Sequence, residues 1–155
     1  MKEWHEWNSD LARSIIERHK LLPGATLPIL HALQECFGYI DRSIIPEIAD
    51  ALNLSKAEIH GVVSFYHDFR TTPPARHVLK LCRAEACQAN GCEGLIKHLD
   101  QRHGLRPDQD DSPRLTIESV YCLGNCALGP AALLDGQPIA RLTAAELDSI
   151  FALAI

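Results

Sequence analysis

From Trp4 to about Phe69 the apolar residues return every third or fourth position, with Trp4, Trp7, Leu11 and Ile15 in one stripe and Leu30, Leu33 and Phe37 in another. That spacing predicts helices, each turning one face to a common core. Boundary residues agree with it. Gly38 punctuates the second helix, Pro46 suits the first turn of a third, and Ser55-Lys56-Ala57-Glu58 is a capping box that opens a fourth through Ile59, Val62, Val63 and Tyr66. Short connections between these segments predict a compact antiparallel helical bundle.

The pattern breaks at Arg70-Thr71-Thr72-Pro73-Pro74-Ala75, where consecutive prolines cannot continue a helix. Beyond it, His77-Val78-Leu79-Lys80-Leu81 alternates as a strand, and about Asn90 to His103 reads as a helix with Leu95, Ile96 and Leu99 inward. The polar stretch from Gly104 to Arg114 leads into a second strand, Leu115 to Val120, which the crossover rule makes parallel to the first. Two short strands, Ala131 to Leu134 and Ile139 to Leu142, flank Asp135-Gly136, a strong hairpin signal. Thr143-Ala144-Ala145-Glu146 then caps a last helix with Leu147, Ile150 and Phe151 inward. The expected class is α+β: a helical bundle domain over residues 1–70, then an α/β domain over residues 76–155 in the order βαβββα.

A chain of 155 residues is long enough to bury a core without staples. With 46% hydrophobic and 23% charged residues it has the balance of a globular protein, and no segment approaches the ~20 apolar residues of a membrane span. The start, Met1 to Trp7, lacks the apolar core of a secretory signal, so the expected location is cytoplasmic. A net charge of −5 with no dense basic cluster gives nucleic-acid binding no support and points to protein partners. Six cysteines in such a chain then suggest metal, redox chemistry or burial in preference to disulfides.

Four of the six form pairs. Cys82 and Cys87 follow the first strand directly, and Cys122 and Cys126 follow the second. If the strands are parallel neighbours, both loops emerge at one end of the sheet, and four thiolates meet although about 35 residues separate the pairs. A [2Fe–2S] cluster gives each iron two protein thiolates, so two pairs on two loops suit it. Its formal charge of about −2 demands nearby donors, and Gly91, Gly124 and the start of the helix near Asn90 are placed to supply them. Structural zinc is the alternative, because both spacings also fall in the zinc-knuckle range. A Rieske centre lacks histidines in either loop, and a thioredoxin-type dithiol lacks its C-x-x-C.

Cys36 lies on the apolar side of its helix and reads as core. Cys92 reads as packing at a helix start, with replacement of Cys87 as a ligand the alternative. The run Ser64-Phe65-Tyr66-His67-Asp68-Phe69 reads equally as packing between the halves or as a surface for a partner subunit. The eight histidines share no spacing and read as surface or satisfied core residues. There is no P-loop, G-x-G-x-x-G or G-x-S-x-G. A chain that passes single electrons without a hydride-handling site needs a partner that has one.

Leu33-Gln34 to Gly38-Tyr39-Ile40, Val63-Ser64-Phe65-Tyr66, Cys82-x4-Cys87, Cys122-x3-Cys126 with Gly124 inside it, and Gly129-Pro130 occur in one order along nearly the whole chain. In this the sequence resembles the thioredoxin-like [2Fe–2S] ferredoxin subunits of respiratory NADH:quinone oxidoreductase (the 24 kDa or E subunit) and of NAD-linked hydrogenases and formate dehydrogenases. The resemblance implies a thioredoxin-like second domain, a [2Fe–2S] cluster on Cys82, Cys87, Cys122 and Cys126, and no catalytic residue of its own. It also implies two partners, a flavoprotein subunit with FMN, an NAD(H) site and a [4Fe–4S] cluster, and the catalytic subunit of the complex. Among the branches, the two cysteine loops are most similar to the gamma subunit of NAD-dependent molybdenum formate dehydrogenase.

Overall fold

The computed structural model describes residues 4–109 and 114–154. Part of the polar stretch between Gly104 and Arg114 therefore lies outside the described residues. The chain divides into two compact units, the first running to Pro73 and the second beginning at Pro74.

The first unit holds four helices: α1 (Ser9–His19), α2 (Thr26–Phe37), α3 (Ile45–Leu52) and α4 (Lys56–Phe65), with a 3-10 turn, Arg42–Ile44, leading into α3. Ile29, Leu30, Leu33, Ile40, Ile44, Ile45, Ile48 and Ile59 are fully buried at its centre, each contributing roughly 1.5–3 kcal/mol of transfer energy. The caps are those the residues dictate. Gly38 ends α2 in the left-handed conformation with φ of +82°, Pro46 lies in the first turn of α3, and Ser55 and Glu58 form both halves of the capping box on α4. Gly38 has a second reason to be glycine, since a Cβ there would come within 2.9 Å of the Trp4 ring.

Two expectations need correction in this unit. Trp4 and Trp7 precede α1 and are not on its face, because the Asn8 side chain accepts the Leu11 N–H at 2.9 Å and starts the helix there. Trp7 still reaches the core, its ring 4.8 Å from that of Phe37. The fourth helix stops at Phe65, leaving Tyr66 extended. Gln34 of α2 accepts the Arg70 N–H at 2.7 Å and donates to the Asp68 carbonyl, which fastens the segment after α4 to α2.

The second unit holds β1 (His77–Cys82), α5 (Glu85–Ala89), α6 (Cys92–His103), β2 (Leu115–Val120), β3 (Ala132–Leu134), β4 (Gln137–Ile139) and α7 (Ala144–Ala154). The sheet order is β2-β1-β3-β4, with β1 and β2 parallel and the other pairings antiparallel. Leu79 and Leu81 of β1 and Leu115 and Ile117 of β2 share a core with Leu95 and Leu99 of α6 and Leu147 and Ile150 of α7, so both long helices cover one face of the sheet. Lys80 and Glu118, which alternate with those core residues, pair on the other face at 3.6 Å.

The expected helix from about Asn90 to His103 is α6, which starts at Cys92, but α5 falls where the sequence reads as a loop. Gly91, at φ of +92°, interrupts the path and separates the short α5 from α6. Asp135 and Gly136, both at positive φ, make the expected hairpin turn, but β4 begins straight after it and ends at Ile139, so Leu142 is buried from a loop. Thr143 and Glu146 form the capping box of α7. No described helix is long and apolar enough to cross a membrane.

Candidate metal centre

The register pairs Cys82 with Val120, so β1 and β2 end together and the chain leaves both at one edge of the sheet. Cys82 is the last residue of β1, its N–H bonded to the Ala131 carbonyl at 3.0 Å, while the next N–H, of Arg83, reaches the Val120 carbonyl at 2.8 Å. Cys87 lies on α5 and not on a free loop, and both thiols of this pair are buried. The second pair is exposed. Cys122 follows β2 in the left-handed conformation, at φ of +85°, and its sulfur accepts the N–H of Gly124 at 3.4 Å. Cys126 opens a 3-10 turn with its sulfur 3.7 Å from that of Cys122.

The pairs meet. Burial pushes the Cys82 thiol up, but N–H donors of Ala84, Leu123 and Cys122 and the Cys87 thiol outweigh it and hold Cys82 below the ordinary thiol range. Two of those donors belong to the second loop. Cys87 is pushed up by burial, eased by the Ala131 N–H and raised further by the nearby Cys82 and Cys126. Cys126 is raised by its hydrogen bond to Cys122, by the Cys122 charge and, more weakly, by Cys82. Four thiolates crowded in this way repel one another, and a multiply charged metal centre removes the conflict. Gly129 fits closely against the site, since a Cβ there would stand 3.4 Å from the Cys87 sulfur.

The sulfurs form two pairs, not one knot. Two thiolates on each of two chain segments give each of two irons its pair of protein ligands, so the donor set fits a two-iron cluster.

Of the donors expected from sequence, Gly124 reaches a sulfur, whereas the Gly91 N–H is bonded to the Gln88 carbonyl at 2.9 Å and is spent there. The start of α6 does face the site, because Cys92, its first residue, is buried with Cys82, Cys87 and Ala131. Burial and the adjacent Glu93 keep the Cys92 thiol up, as suits packing. Cys36 is partly buried against the helical core. The donors at Ala84, Leu123 and Ala131 went unforeseen, since any residue can offer a backbone N–H. A second group also escaped notice: His98 and His103 of α6 meet Asp148 of α7.

A mixed sheet with a cysteine pair after each of two parallel strands defines an α+β iron–sulfur protein. Known proteins point the same way. Residues 12–154 match the model for thioredoxin-like [2Fe-2S] ferredoxins. The E subunit of the NADH-quinone oxidoreductase of Escherichia coli K12 is 32% identical over 120 residues, covering 77% of this chain and 72% of the relative. The HndA subunit of the NADP-reducing hydrogenase of Solidesulfovibrio fructosivorans is 27% identical over 148 residues, covering 92% and 85%. The crystal structure of an NAD+-reducing [NiFe]-hydrogenase in its air-oxidized state superposes with a TM-score of 0.71 at 32% identity, covering 89% of this chain and 24% of that one. The chain thus spans about a quarter of that hydrogenase chain. It belongs to the thioredoxin-like [2Fe–2S] ferredoxin family, and its cofactor is a [2Fe–2S] cluster.

Proposed function

We propose that Cys82, Cys87, Cys122 and Cys126 hold the cluster and that the chain carries single electrons inside an NAD-linked oxidoreductase complex. The observation behind this is the meeting of the two pairs at the shared end of β1 and β2. The cluster supplies one-electron redox capacity. The chain's own part is to bind it, to aim N–H groups of Ala84, Leu123 and Gly124 at the sulfurs, and to bury one cysteine pair while presenting the other. N–H donors stabilise negative charge on sulfur and so ease uptake of an electron. Tyr121 and Leu128 flank the exposed pair with apolar surface, as a docking rim would.

The partner that fits is a flavoprotein subunit with FMN, an NAD(H) site and a [4Fe–4S] cluster, because hydride chemistry needs a centre with no motif here. Within this class the parent complex is an NAD-dependent molybdenum formate dehydrogenase, with this chain as its gamma subunit. That finer assignment rests on Cys82 to Gly91 and on Tyr121 to Ala127. A second reading, the E subunit of an NADH:quinone oxidoreductase or the equivalent hydrogenase subunit, is favoured by the names of the relatives.

Anaerobic isolation of the native complex tests both. The formate reading expects a co-purifying molybdenum subunit and the appearance of the paramagnetic signal of the reduced [2Fe–2S] cluster when formate is added. A complex reduced by NADH or hydrogen but not by formate supports the second reading. A complex with zinc and no iron in this chain would refute electron transfer altogether.

A further inference from the structure

Among the described residues, one group of three metal-ligating side chains has its donor atoms within 4.8 Å of one another: His98, His103 and Asp148. We propose that this trio is a second metal site, in which Nε2 of His98, Nε2 of His103 and Oδ1 of Asp148 bind one Zn²⁺ and tie α6 to α7. The two nitrogens already converge on one oxygen, at 2.8 Å and 2.7 Å. An ionised carboxylate only accepts hydrogen bonds, so each ring here carries its proton on Nε2. On binding, each Nε2 gives up its proton through solvent, to Nδ1 where that nitrogen carries none, and turns the freed lone pair to the metal, while the carboxylate keeps its charge.

The fit requires little movement. Zinc bonds of about 2.0–2.1 Å in a tetrahedron set ligand atoms roughly 3.3 Å apart, so the nitrogen–oxygen pairs open by about half an ångström. The ligands are held in place by their neighbours. His103 is only 10% exposed and lies against Phe151, ring centroids 4.1 Å apart, and Phe151 is one helical turn beyond Asp148. Arg102 holds the other carboxylate oxygen, Oδ2, at 3.2 Å, which leaves Oδ1 to act alone. His98 and Asp148 are partly exposed, so ions can enter and water can complete the shell.

Ligand chemistry selects the metal. Two imidazoles and one carboxylate suit zinc once the cysteines are occupied by the cluster, whereas calcium and magnesium favour oxygen shells. Without metal, the same atoms form a hydrogen-bonded clasp between α6 and α7. The experiment must therefore separate a clasp from a site.

Cluster-loaded protein, kept anaerobic, is titrated with Zn²⁺ by calorimetry while the visible spectrum monitors the irons. The expected result is saturable binding of one Zn²⁺ per chain, an unchanged spectrum and a higher melting temperature. His98→Gln and Asp148→Asn should each weaken binding at least tenfold, and His5→Gln should leave it unchanged. Asp148→Asn can still accept hydrogen bonds from both rings, so it separates metal binding from folding. Absent saturation, binding that survives both substitutions, or uptake of zinc only as iron departs would each overturn the proposal.

Discussion

The two cysteine pairs proposed to hold the cluster lie in opposite environments. Cys82 and Cys87 are buried, one closing a strand and the other on a helix, among Cys92 and Ala131. Cys122 and Cys126 are exposed on a loop whose shape depends on two left-handed residues, Cys122 and Gly124. The first pair is part of the core and is positioned by packing. The second is positioned by backbone conformation and N–H donation, and under the proposed ligand set it would face a partner. Burial lowers the local dielectric and protects the centre, and exposure shortens the path for an electron, so a carrier gains from having one of each.

Serine substitutions test this division most severely. Cys87→Ser should abolish the visible spectrum and lower the melting temperature, because a hydroxyl is left in an apolar pocket at a cost of about 1–3 kcal/mol. Cys126→Ser should reduce iron content while the apo-protein melts as the wild type does. Equal loss of stability in the two apo variants would erase the distinction. Gly124→Ala is a smaller perturbation. Its φ of +75° disfavours a side chain, by about 1 kcal/mol, although nothing stands within 4 Å of a Cβ there. Cluster assembly should slow and the reduction potential should fall as the donor to Cys122 shifts, with the melting temperature of the apo-protein nearly unchanged.

The smallest effect lies in the helical unit and provides a baseline without cysteine chemistry. Glu58 is held below the usual carboxylate range by the backbone and side chain of Ser55. Its folded pKa is depressed, so its contribution is complete above the unfolded value of about 4.3 and is lost as pH falls through the folded one. The urea midpoints of wild type and Glu58→Gln should therefore converge on acidification over that range. A gap that widens as pH falls would contradict the capping role.

Much of this arrangement was legible before any coordinates. Gly38, Pro46, Ser55 with Glu58, and Asp135-Gly136 act through their own backbone and their nearest neighbours, and the structure places each in the role its chemistry predicts. The strand–helix–strand order likewise foretold, through the crossover rule, that β1 and β2 run parallel. Where local signals competed, periodicity misled. Trp4 and Trp7 have helical spacing, yet Asn8 caps α1 after them; α5 forms where the sequence reads as a loop; and Leu142 is buried without belonging to a strand.

Residue identity and spacing by themselves determined the helical and mixed α/β composition, most of the caps and the cysteine pairs, because these depend on contacts within a few residues of chain. The tertiary structure alone decided which pair is buried, which backbone N–H groups face the sulfurs, and that two histidines of α6 share one carboxylate of α7. Each of these depends on the separation of atoms far apart in the chain, and that is set by how the sheet and its helices pack.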